Sequence, residues 1–207
     1  CISLSQDVQG ESYDYPEEFF KERIHVIRRP RPDDFQIKEA ANLIKKSKKP
    51  IIIAGGGVFY SDATEELSAF AKKHNIPVTQ TVMGYSSIKK DHTHYLGTIG
   101  GLGGKAANNL SKETDTAIAI GTKLADFTTG SWANFENPNF KLVSINAARF
   151  DANKHMAQAI VGDAKVSLTE LSQALGNWKA DDNWYKKSRV ELKNWEAYVE
   201  KESGPTN

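Results

Sequence analysis

Three glycines in succession, Gly55, Gly56 and Gly57, close the apolar run PIIIAGGG. A turn of this kind from strand to helix lets backbone N–H groups approach a phosphate at the positive end of the helix. The dinucleotide fingerprint is incomplete, because Tyr60 stands where the next glycine would fall. The following strand, which should end in an acid for the ribose, ends in Thr79, Gln80 and Thr81. Ordinary nicotinamide binding is therefore disfavoured. Two readings stay open: glycines that only permit the tight turn, and a different or vestigial nucleotide site.

A second cluster, Gly97, Gly100, Gly101, Gly103 and Gly104, is denser than a turn requires. It fits a close approach of backbone to a ligand or a neighbouring domain, and equally a flexible loop. His92 and His94 alternate in KDHTHYL, but two histidines without further ligands make a weak metal site, and a surface or capping role is favoured. Ser131 lies in TTGSWA, outside a nucleophile elbow. The lysine pairs at 45–46, 48–49, 72–73 and 89–90 are spread as on a solvated surface. The single cysteine, Cys1, offers neither a disulfide framework nor a multi-cysteine metal site.

The segments that must hold these groups alternate between helix and strand from about residue 35 to residue 176. Asp34 is expected to cap a helix through QIKEAANLIKKSKK, with Ile37, Ala40, Ala41 and Ile44 on its buried face. PIIIA then reads as a buried strand. Ser61 or Asp62 is expected to open a second helix with Leu67, Phe70 and Ala71 inward, followed by the strand IPVTQT. A short helix starting near Lys105 precedes TAIAIG and KLVSIN, and AQAIVG reads as a final strand. Asp163 caps a last helix that ends near Gly176. Five strands joined by helical crossovers imply an α/β, Rossmann-like parallel sheet flanked by helices. Residues 1–34 read as a proline-bearing lead-in, and residues 182–202 as a polar helix with the narrow stripe Leu192, Trp195 and Val199.

Composition narrows the function classes. A formal net charge of +1 gives no electrostatic reason to expect nucleic acid or acidic membrane partners. No apolar run approaches the roughly 20 residues that cross a bilayer. A soluble, cytoplasmic protein is expected, and the opening CISLSQDVQG reads as a segment of a longer polypeptide.

The runs PIIIAGGGVFYSDATEELSAFAKKHNIPVTQT, DHTHYLGTIGGLGGKAANN, TAIAIGTKLADF and AIVGDAKVSLTEL resemble the central domain of thiamine-diphosphate-dependent enzymes of the acetolactate synthase and pyruvate decarboxylase group. SQDVQGESYDYPEEFF, IRRPRP and above all DFTTGSWANF resemble the branch of hydrolases that act on trihydroxycyclohexanedione in myo-inositol catabolism.

That resemblance implies a three-domain, homo-oligomeric enzyme that hydrolyses a ring C–C bond of a cyclic dione to a 5-deoxy-glucuronate, using thiamine diphosphate and Mg²⁺. Residues 1–34 would be the end of the preceding domain and its linker, 35–176 the Rossmann-like central domain, and 177–207 a helical linker towards a C-terminal cofactor-binding domain. The glutamate that activates the cofactor and the GDG motif that holds its diphosphate would lie in the flanking domains. Gly162, Asp163 and Ala164 match the latter only in part. This chain alone is expected to be inactive, without catalytic or metal-binding residues, and to orient its neighbours. In relatives the central domain sometimes binds FAD or ADP. By motif the corresponding residues are Gly55, Gly56, Gly57, Gly121, Lys123, Asp126 and Asp163, a vestigial nucleotide site. FAD is disfavoured, because Lys123 replaces an arginine and Asn146 replaces an acid. An acetolactate-synthase-like carboligase and a free nucleotide-binding module are the alternatives; a sirtuin-like deacylase would need a zinc ribbon of cysteines.

Overall fold

The computed structural model describes residues 2–204; Cys1 lies outside them. In chain order the elements are α1 (Gln6–Gln9), α2 (Asp34–Lys45), β1 (Pro50–Ala54), α3 (Gly56–Tyr60), α4 (Thr64–His74), β2 (Val78–Gln80) and β3 (Tyr95–Thr98). There follow α5 (Lys105–Glu113), β4 (Thr116–Ile120), α6 (Asp126–Thr129), β5 (Lys141–Asn146), α7 (Arg149–Ala152), β6 (Gln158–Val161), α8 (Ala164–Leu175) and α9 (Asp182–Glu202). The strands form one six-stranded sheet in the order β3-β2-β1-β4-β5-β6, and every pair is parallel. β1 and β4 are buried along their whole length, as central strands covered on both faces must be. The expected α/β class therefore holds, with one strand more than the sequence reading found.

That additional strand is β3. It is four residues long, carries Gly97 at φ +99°, and meets β2 through a register shift at Val78/Thr79. A bulged strand with a glycine in it has none of the continuous apolar character that marks β1 or β4.

α2 buries Ile37, Ala40, Ala41 and Ile44, the expected face. Its cap, however, is Asp33 and not Asp34: Asp33 sits in extended backbone beside buried Pro32, and its carboxylate accepts the Phe35 N–H at 2.9 Å. The helix also stops at Lys45, short of Lys49. There the Asp115 carboxylate accepts the N–H groups of Lys48 at 2.8 Å and Lys49 at 3.2 Å, and so turns the chain into β1. α4 begins at Thr64, later than the Ser61 or Asp62 start expected. Ser61 instead accepts the Ala164 N–H, and Asp62 adopts φ +54° and pairs with Lys165.

Both flanking segments touch this core. The Asp163 N–H donates to the Pro30 carbonyl at 2.8 Å, and Arg29 pairs with the Asp163 carboxylate at 2.9 Å, whereas residues 2–28 are exposed throughout. α9 lies along α5. Its buried Trp184 donates the ring N–H to the Pro50 carbonyl at 2.8 Å, Leu192 is buried, and Lys187 pairs with Glu113. Of the expected stripe, Leu192 and Trp195 pack on the core and Val199 stays 38% exposed. Among the described residues no helix is long and apolar enough to cross a membrane.

Candidate functional site

The strand order reverses between β1 and β4, and in open parallel sheets the crevice beyond the carboxyl ends of such strands is where ligands sit. A cleft of about 400 Å³ opens there, floored by Gly56, Gly57 and Gly121 and walled by Met83, Leu102 and Phe127. Tyr60, Thr81, Thr122 and Thr128 also border it, and Lys123 is the one charged group in its lining.

The floor is made by backbone on backbone. The Gly57 N–H donates to the Gly121 carbonyl at 2.9 Å, the Gly55 N–H to the Ile120 carbonyl at 2.8 Å, and the Gly121 N–H to the Ile145 carbonyl at 2.8 Å. A Cβ on Gly57 would lie 2.5 Å from the Gly121 Cα, so both positions need glycine to let two strand ends meet. Two of the three amides in the glycine turn are thereby spent inside the protein. A phosphate cradle loses those donors, which favours the turn-and-packing role.

Of the seven residues matched by motif, Gly56, Gly57, Gly121 and Lys123 border the cleft, with Gly55 just beneath it. The two acids are occupied elsewhere. Asp126 starts α6 and accepts the Ser131 hydroxyl at 2.9 Å, which also accounts for Ser131. Asp163 caps α8 by accepting from the Lys165 and Val166 N–H groups, and pairs with Arg29. Asn146, the expected neutral replacement, donates its amide to the Thr122 carbonyl at 3.3 Å and accepts the Ala148 N–H at 2.9 Å. A carboxylate could not make the first of these bonds.

The second glycine cluster serves close approach. Gly100, at φ +102°, leaves no room for a Cβ against the Phe127 carbonyl, and the Gly101 N–H donates to that carbonyl at 2.8 Å. Asn108 accepts the Gly100 N–H and donates back to its carbonyl, while Asn134 of the DFTTGSWANF loop donates to the Asn108 Oδ1 at 3.3 Å. The distinctive loop and the glycine run thus brace one another across the cleft mouth. α6 closes through three successive left-handed residues, Gly130 (φ +57°), Ser131 (φ +53°) and Trp132 (φ +69°).

His94 has partners on both ring nitrogens, Asn75 Oδ1 at 3.1 Å and Thr93 Oγ1 at 3.0 Å, and its ring lies against Tyr185 at 4.6 Å. Burial, and then the nearby charges of His92, Arg189 and Lys72, hold its pKa down to about 4. It is a clamp between β3 and α9. Among the described residues no group of three or more His, Cys, Asp or Glu side chains could hold a metal ion.

Residues 37–171 match the family described as thiamine pyrophosphate enzyme, central domain. The chain belongs to this family. Curated relatives named 3D-(3,5/4)-trihydroxycyclohexane-1,2-dione hydrolase align with it. The protein of Clostridium perfringens (strain 13 / Type A) is 49% identical over 175 residues, which is 84% of this chain and 27% of the relative. That of Clostridium tetani (strain Massachusetts / E88) is 41% identical over 213 residues, 99% of this chain and 33% of the relative. The protein of Bacillus thuringiensis (strain Al Hakam) is 44% identical over 174 residues, 84% of this chain and 27% of the relative. The chain spans about a third or less of the length of these relatives.

The family's cofactor can be tested against the cleft of this central domain. A Mg²⁺-bound diphosphate calls for hard oxygen ligands, carboxylates above all, and the lining side chains supply a lysine, hydroxyls and apolar groups but no carboxylate. The residues present do not fit thiamine diphosphate. Tyr60, Leu102, Thr122, Phe127 and Thr128, which shape the cleft, lie in runs singled out in the sequence but were not assigned there to a site, and Met83 lay outside every such run.

Proposed function

We propose that this chain is the central, non-catalytic domain of a cytoplasmic, homo-oligomeric thiamine-diphosphate-dependent hydrolase that cleaves a ring C–C bond of trihydroxycyclohexane-1,2-dione to a 5-deoxy-glucuronate in inositol catabolism. The cofactor supplies the electron sink for that cleavage. This domain's residues supply a rigid frame between the domains that hold the cofactor and Mg²⁺. The observation that carries the reading is the inward use of the Gly55 and Gly57 amides, in a chain that aligns over 84% of its length with a hydrolase of which the matched part is only 27%. Gly55, Gly56, Gly57, Gly121, Lys123, Asp126 and Asp163 are then the remnant of a nucleotide site. No flavin is held, and an adenine nucleotide binds weakly at most, through Lys123.

Calorimetry with thiamine diphosphate and Mg²⁺ tests this on residues 1–207 and on the full reading frame. Binding and dione hydrolysis are expected only in the longer protein. Cofactor binding by residues 1–207 would overturn the reading, and acetolactate formation from pyruvate by the longer protein would favour the carboligase.

A further inference from the structure

We infer that the carboxyl edge of the sheet is the docking face for the polypeptide that flanks residues 1–207 in the full-length protein, and that the docked segment presents apolar side chains together with an acidic group for Lys123. The inference rests on the domain reading above and names the face and its occupant.

Outside the exposed arm of residues 2–28, a group of large apolar side chains gathers at this edge. Tyr60 (75% exposed), Met83 (75%), Leu102 (73%) and Phe127 (76%) each sit in a segment that follows the carboxyl end of a different strand, and all four line the cleft. Val82, also exposed, lines the same cleft. A contiguous patch of large apolar side chains around a concave floor marks a contact surface or a ligand groove, and with the Gly55 and Gly57 amides bonded internally a protein contact fits it better. The floor cannot rearrange to hide it, since Gly57 and Gly121 are locked backbone to backbone.

The path of the chain says what covers the patch. Arg29 donates to the Ser61 carbonyl, one residue beyond Tyr60, and pairs with Asp163 at 2.9 Å, so the exposed arm of residues 2–28 departs from this edge. α9 returns to it. Trp184 is bonded to Pro50 at the amino end of β1, whereas Trp195 packs on Gly104 and the Lys105 ammonium lies 4.3 Å over the Tyr198 ring, beyond the carboxyl end of β3. Twenty-one helical residues span about 30 Å, more than the roughly 17–20 Å length of the five- and six-residue strands. Chain entering and chain leaving therefore meet the cleft edge, and in a relative that aligns with 99% of this chain the matched part is only 33% of the whole.

Charge narrows the occupant. Lys123 is exposed within the apolar rim, and among the described residues it has no ion-pair partner. A carboxylate on the docked segment would pair with it in a partly dried setting, where a charged hydrogen bond counts most.

Hydrogen exchange followed by mass spectrometry on the full-length protein and on residues 1–207 tests the assignment. Residues 56–60, 82–85, 100–104 and 122–128 are expected to exchange at least about tenfold more slowly in the full-length protein, with residues 137–141 at the opposite edge unchanged. Lys123→Glu with Phe127→Ser should abolish that protection and lower the full-length melting temperature, while residues 1–207 with both changes melt as before. Equal exchange in the two proteins would overturn the inference. So would concentration-dependent protection of the same segments in residues 1–207, which would make a second copy the occupant, or equal protection of residues 1–207 by ADP, which would make it a nucleotide. Full-length protein that shows the protection but no dione hydrolysis would sink the functional reading and leave the docking face standing.

Discussion

The Asp163 carboxylate joins two parts of the molecule: it pairs with Arg29 at 2.9 Å and caps α8 through the Lys165 and Val166 N–H groups, and it is only 8% exposed. Loss of an N-cap costs about 0.5–2 kcal/mol, and loss of a charged hydrogen bond about 1.5–3 kcal/mol. Asp163→Ala is expected to destabilise the domain by roughly 2–3 kcal/mol. Asp163→Asn, which keeps a capping oxygen, should cost about 1 kcal/mol. Urea melts of the two variants check the order.

The glycines separate steric from torsional requirements. Gly121 has φ +59° and faces Gly57, whereas Gly97 has φ +99° with nothing near its missing Cβ. Gly97→Ala should therefore cost only the backbone strain, about 1–2 kcal/mol. Gly121→Ala carries the same strain and a clash with rigid backbone, and is expected to exceed about 4 kcal/mol or prevent folding. Thermal melts or soluble yield would tell the two apart.

Acid should loosen the contact between β3 and α9. The folded pKa of His94, about 4, lies below the unfolded value of about 6.5, so between those values the unfolded chain binds more protons. The contribution is fully present above about pH 6.5 and is lost as pH falls towards 4, with a ceiling near about 3 kcal/mol. His74, whose pKa burial also lowers, acts in the same direction. Chemical denaturation at about pH 7, above this window, and about pH 4.5, near its lower end, should show the loss, and His94→Gln should flatten it; an unchanged slope would contradict the role given to His94.

Trp132 is half-buried, with its ring 4.5 Å from His155 and 5.5 Å from Phe135. Full truncation of a buried aromatic costs about 3–5 kcal/mol, so Trp132→Ala should cost roughly half of that in residues 1–207. In full-length protein a loss of turnover beyond the loss of folded protein would mark the loop as an orienting element.

Nucleotide binding is expected to be weak. With the Gly55 and Gly57 amides and the Asn146 amide spent internally, Lys123 is the main remaining attraction for a phosphate. For a Kd at or above about 1 mM, about 1 mM ADP adds at most about 0.4 kcal/mol, a shift in melting temperature near the limit of a thermal scan. The purified protein should be colourless; stoichiometric flavin absorbance would refute this.

The ease with which the sequence could be read followed the physical strength of each signal. β1 and β4 were legible because PIIIA and TAIAI are unbroken apolar runs, and α8 because Asp163 and Gly176 bracket it. α3 was not, since two glycines in five residues erase helix propensity and tertiary contact with the β4 end supplies the order. Asp33, and not Asp34, caps α2 beside the buried Pro32, and nothing in the local pattern distinguishes the two aspartates. At the site, glycine positions were visible but the direction of their N–H groups was not. Asp126 and Asp163 matched a binding motif, yet their carboxylates serve a loop and a helix cap.

The run Gly130, Ser131, Trp132 has a consequence for the handedness of its building blocks. Three residues with φ between +53° and +69° occupy the basin that a mirror-image amino acid prefers. Replacing Ser131 with D-serine by chemical ligation should relieve backbone strain and leave the turn intact, whereas an L-isoleucine there, stiff at its branched Cβ, should reverse the gain.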